Sequence, residues 1–151
     1  MNKPSEVVND DHDSAREEFK SGISLAKDWY RDAGKDRDED SEAWENMSYS
    51  LINKLSHHWQ YFVYEIATAD NLSNTKIKKL GNGTASSISE AYRNTGINPL
   101  KEVGDSFDFY TYFNQCRNDV AHGRAISPNP SKHQVVQWMD AFEALADIYR
   151  K

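Results

Sequence analysis

The chain has 151 residues, a net charge of -6 and a single cysteine. That length suits one domain, 1–151, able to bury roughly two-thirds of its unfolded surface. One cysteine excludes an internal disulfide and a cysteine-based zinc cluster, and no run of about eighteen apolar residues is present to cross a bilayer. The negative balance argues against a general nucleic-acid binder, which gains affinity by neutralising phosphates with surplus Lys and Arg. A soluble, cytoplasmic protein with no membrane partner is the expectation, with 1–13 as a flexible acidic N-terminus.

Acid is concentrated in the first third, at Asp10-Asp11, Glu17-Glu18 and from Asp32 to Glu45, leaving the remainder roughly neutral. This is either a solvated face or a dock for a basic partner. Within it, Phe19, Ile23, Ala26, Trp29, Tyr30 and Ala33 share one helical face, which predicts a helix from Ser14 to Ala33 stopped at Gly34. The charged linker 35–40 follows. Ser41 then opens a second, longer helix with Trp44, Met47, Leu51, Leu55, Trp59, Phe62 and Ile66 inward, ending near Asp70-Asn71.

Lys76, Lys78 and Lys79 precede the turn signal Gly81-Asn82-Gly83, and Thr84 is the expected N-cap of a short third helix with Ile88, Ala91 and Tyr92 inward. After a loop from Asn94 to Pro99, Asp105 is the expected cap of a fourth helix carrying Phe109, Phe113, Cys116 and Val120. Cys116 reads there as a small buried apolar residue. Ser131 caps a fifth helix with Val135, Trp138, Met139, Phe142, Leu145 and Tyr149 inward. The fold expected is all-α, an up-and-down bundle of four main helices plus a shorter one.

Arg117-Asn118-Asp119-Val120-Ala121-His122-Gly123 closes the fourth helix and concentrates the chemistry. An arginine stays charged and fits phosphate oxygens with a planar fork, and a histidine moves protons near neutral pH. At about 100 degrees per residue, Asn118 and His122 point almost opposite to the core stripe, Arg117 lies on the flank, and Asn114 and Gln115 share the outward face. Such a stripe is either plain solvent-facing surface or one completed by a second copy of the chain. Cutting RNA through its own 2'-hydroxyl needs a base, an acid and positive charge at phosphorus. A two-fold axis beside the stripe would bring two copies of Arg117 and His122 together.

The motif resembles that of the HEPN superfamily of all-helical domains, an arginine, four to six residues and a histidine, with a polar residue after the arginine. The match is Arg117-Asn118, three residues, His122, with the Ala121-His122-Gly123 ending and one further amphipathic helix. It covers the helical arrangement of 41–151 and leaves the acidic first helix outside. The resemblance implies a metal-independent endoribonuclease that needs no cofactor and works as a homodimer through the Arg117–His122 face, serving as a toxin or a phage-defence effector. An antitoxin or regulatory protein is an implied partner. His122 would be the general acid or base, Arg117 the phosphate and transition-state stabiliser, and Asn118 an orienting amide. The products would carry 2',3'-cyclic phosphate and 5'-hydroxyl ends. Some members carry a tyrosine two residues after the histidine that their antitoxin modifies; Arg124 stands there instead and offers a further cation. The alternative is a non-catalytic dimeric module that binds RNA or protein.

Other candidates carry bland readings beside sharp ones. Asn114, Arg124, Lys76, Lys78 and Lys79 are candidate contacts to an RNA backbone, although three lysines in a short segment also make ordinary solvated surface. His58 lies at the edge of an apolar stripe and suits a packed histidine, whereas His57 and His133 read as surface. No grouping of His with carboxylates has metal-site spacing.

Overall fold

The structure, a computed structural model, describes residues 4–108, 111–126 and 129–149. Among these, all secondary structure is helical. The long elements are α1 (Pro4–Trp29), which passes into a π-helical turn at Tyr30–Gly34, and α2 (Glu42–Ala69). Short helices α3 (Asn74–Lys78), α4 (Ala85–Ala91) and α5 (Lys101–Asp108) follow, then α6 (Thr111–Ala121) and α7 (Lys132–Ile148).

Side-chain pairings fix the helix directions. Phe19 stacks on Phe62 at 4.9 Å and Tyr30 meets Trp44 edge-on at 6.2 Å, so α2 runs antiparallel to α1. Arg16 Nε donates to the Ala146 carbonyl at 2.8 Å while Lys27 pairs with Asp140 and Glu143, so α7 is antiparallel to α1 as well. Phe113 of α6 packs edge-on against Trp138 and Phe142 of α7, at 5.3 and 4.9 Å. The four long elements α1, α2, α6 and α7 therefore form an up-and-down bundle, and α3 to α5 fill the connection between its second and third members.

Local chemistry explains most boundaries. The hydroxyls of Ser41, Ser73, Thr84 and Ser131 each accept from the backbone N–H three residues on, satisfying a donor that the helix itself leaves open. Asn71 ends α2 with φ 62, and the Leu72 N–H reaches back to the Ala67 carbonyl at 3.1 Å.

Trp59 is the hub of the core. Its indole stacks on Phe107 at 4.5 Å, touches Phe19 and Phe62, and donates from Nε1 to the Gly83 carbonyl at 3.1 Å. Gly83 has φ +77, and a Cβ there would lie 2.4 Å from the indole nitrogen, so only glycine lets the turn close onto the ring. A buried polar cluster lies at the far end of α2: His12 Nε2 meets Asp70 Oδ1 at 2.7 Å and the Tyr92 hydroxyl donates to Asp70 Oδ2 at 2.6 Å. Burial, with Asp70 beside it, raises the Tyr92 pKa far above its ordinary range.

The structure departs from the expected boundaries in four places. The first helix begins at Pro4 rather than Ser14, since proline suits a first helical position and His12 is drawn inward by Asp70. Lys76, Ile77 and Lys78 lie in a short helix capped by Ser73. Asp105 is not a cap but an exposed residue inside α5, paired with Lys101 one turn earlier at 3.0 Å. Helix α5 starts at Lys101, so the expected fourth helix is represented by α5 and α6; Phe109 lies outside the described residues. Cys116 is buried in the core, as its place on the apolar stripe predicts.

Candidate functional site

Helix α6 carries the Arg117–His122 segment antiparallel to α2. Its buried face holds Phe113 and Cys116. Asn118 and His122 are exposed, in agreement with helical phase. His122 sits at the C-cap: Gly123 follows with φ +69 and its N–H reaches Val120, while the Arg124 N–H reaches the Asp119 carbonyl at 2.7 Å. This is a Schellman closure, which holds the imidazole at the helix end facing outward. Arg124 Nε pairs with Asp119 at 3.3 Å, so its charge is partly answered within the same motif.

Arg117 keeps its place on the flank of α6, but its side chain is buried rather than brought alongside the imidazole. It is 6% exposed, its guanidinium lies 5.4 Å over the Phe107 ring, and Nη1 donates to the Asn82 carbonyl at 3.2 Å. Burial lowers its pKa from the usual value, and the charge of Asp108 partly opposes that shift. Among the described residues no carboxylate pairs with it and Nε has no hydrogen-bond partner. The long side chain has turned inward towards the turn before α4, and no described contact joins it to His122.

The guanidinium belongs to a cleft of about 200 Å³ between α2 and α6, lined by Asn53, Ser56, His57, Gln60, Arg117 and Asn118, with Asn82 alongside. The α2 members recur every three or four residues and so share one helix face. No carboxylate lines this cleft, whereas each of three other grooves on the protein carries at least one. His57 is exposed and stacks on Tyr61 at 6.0 Å. Placing His57 beside the α6 motif is what the sequence left out: its signal was an uncharged polar stripe, Asn53, Ser56, His57, Gln60, on a strongly charged chain.

The remaining candidates are not among the residues that line the cleft. Asn114 is not on open surface as expected, since Oδ1 is buried without a partner among the described residues. Lys76 Nζ donates to the Arg93 carbonyl at 2.7 Å and Lys79 faces Glu90 at 3.8 Å, both towards the C-terminal end of α4. Lys78 is exposed. His58 is half-buried against Gly22 of α1, and burial followed by the charges of His57 and Lys54 lowers its pKa. His133 is exposed beside Gln137, 3.1 Å away. No group of three or more metal-ligating side chains occurs among the described residues.

The class this geometry defines is an all-helical up-and-down bundle with a polar cleft on one flank of its second helix; no described helix is long and apolar enough to cross a membrane. Comparison with family models, with curated proteins and with solved structures finds no match to the chain.

Proposed function

We propose that the chain is a metal-independent endoribonuclease acting as a symmetric homodimer, of the kind used as a toxin or phage-defence effector. The observation that carries this reading is the separation of roles along α6: a buried cation without a carboxylate partner, and five residues later an exposed imidazole at the helix end. Because His122 faces away from its own core, a second copy is needed to put two imidazoles at one phosphate. One takes the proton of the attacking 2'-hydroxyl as the new P–O bond forms. The other gives a proton to the departing 5'-oxygen, leaving 2',3'-cyclic phosphate and 5'-hydroxyl ends. Arg117 supplies the positive charge, with Asn118 orienting the strand.

A non-catalytic dimeric module that binds RNA or protein is favoured instead by one observation: Arg117 is also a structural tie, its guanidinium lying over the Phe107 ring and donating to the Asn82 carbonyl. Incubating the full chain with mixed RNA and chelator separates the two. The nuclease reading expects cleavage with cyclic phosphate ends, lost by about 100-fold or more in His122→Ala with the dimer intact. Cleavage unchanged in that variant, or absent from the wild type, overturns it.

A further inference from the structure

We propose that the cleft between α2 and α6 is a phosphate subsite complete within one chain, in which Ser56 Oγ and His57 of α2 join the Arg117 guanidinium. It deepens the proposed function, and rests on that reading only for the source of the phosphate, a strand of RNA.

Two buried atoms carry the argument. Ser56 is 7% exposed and Arg117 6%, both line the cleft, and Ser56 Oγ and Arg117 Nε have no hydrogen-bond partner among the described residues. A buried polar atom left unpaired is costly, more so if charged, so two such atoms on residues lining one small cleft call for a partner supplied there. They lie on different helices, so a single ligand that satisfied both would have to enter between α2 and α6.

The sign and size of the cleft identify that partner. Its lining has one fixed cation, one histidine, amides and a hydroxyl, with no carboxylate, on a protein of net charge -6. Asp108, the acid that acts on Arg117 through space, has its Oδ1 occupied by the Ala85 N–H at 3.1 Å and does not ion-pair with the arginine. An anion is the charge that this balance accepts. At about 200 Å³ the cleft is smaller than the roughly 300–1,000 Å³ of pockets that enclose a drug-sized ligand, and suits a phosphate group rather than a whole nucleotide. An arginine fork with hydroxyl and imidazole donors is a fitting donor set for phosphate oxygens.

His57 completes the mouth. It is exposed, its ring is steadied by stacking on Tyr61 at an interplanar angle of 19°, and it makes no hydrogen bond among the described residues. The subsite therefore draws on one helix for its arginine and on the other for its hydroxyl and imidazole.

The test follows the Arg117 Nε–H and histidine ring signals of the full-length protein by NMR. Inorganic phosphate, a short 2'-O-methylated oligoribonucleotide that resists cleavage and a nucleoside without phosphate are added in turn. Phosphate and the oligonucleotide are expected to shift Arg117 and His57 saturably, the oligonucleotide at lower concentration, while the nucleoside leaves them in place. Ser56→Ala and His57→Gln should each weaken phosphate binding about five- to tenfold. The same shifts with the nucleoside, unchanged affinity in both α2 variants, or no saturable response overturns the subsite. Free phosphate binding more tightly than the strand overturns RNA as its source. Failure to cut RNA with the phosphate response intact removes the nuclease alone, and cutting without the phosphate response removes the subsite alone.

Discussion

Helix α2 presents two flanks of opposite chemistry. Against α1 it forms a groove of about 550 Å³ with Asp11, Glu18 and Glu65 beside Tyr61 and Tyr64; against α6 it forms the cleft that has no carboxylate among the described residues. The same helix thus separates an acidic surface from a neutral and cationic one, and net charge describes neither. A total of -6 argued against contact with phosphate, yet the acids that produce it are drawn largely from α1 and the linker after it. What an anion meets at the cleft is the local balance.

The largest effect that would break this comparison is expected at the turn supporting the neutral side. Gly83→Ala forces a side chain into a left-handed conformation and against the Trp59 indole, and should cost about 2–4 kcal/mol by urea denaturation. A loss below about 1 kcal/mol would mean that the turn yields and the cleft floor is soft.

A smaller and more pointed change is Arg117→Met. It keeps an apolar stem near Phe107, removes a desolvated cation and leaves the Asn82 carbonyl unpaired, so stability should move by no more than about 1 kcal/mol. If the melting transition collapses instead, the arginine is held chiefly for structure.

The smallest effect belongs to the acidic flank. Glu18 has its pKa raised from 4.5 first by the charge of Glu65, then by desolvation and a hydrogen bond to Glu65. The folded chain therefore binds this proton more tightly than the unfolded chain does, and stability falls as pH rises from about 4.5 through the raised value. Glu18→Gln should be slightly more stable than wild type near pH 7, by a fraction of a kcal/mol because the group is exposed, with the gain fading in acid and in salt. An equal difference at every pH would remove the carboxylate repulsion as its cause.

Much of the fold was legible because helical period and cap residues act locally. Ser41, Thr84 and Ser131 are caps where the sequence puts them, and the inward residues of α2 and α7 are buried. Asp105 misled because a cap-competent residue is equally at home one turn inside a helix, answered by Lys101. The outward direction of Asn118 and His122 followed from phase. The inward turn of Arg117 did not, because its partner is a carbonyl 35 residues away in a turn whose position depends on Trp59. His57 reads as surface because it is surface, and only the packing of α6 beside α2 places it at the cleft.

That turn is gripped from both sides. The core holds the carbonyl of Gly83 through Trp59, and α6 holds the neighbouring carbonyl of Asn82 through Arg117. The cleft is thus assembled from three stretches of chain that meet only after α6 has docked. A chain still being synthesised has the residues of the site without the site. Whatever the cleft holds can be held only once the last of these stretches has packed.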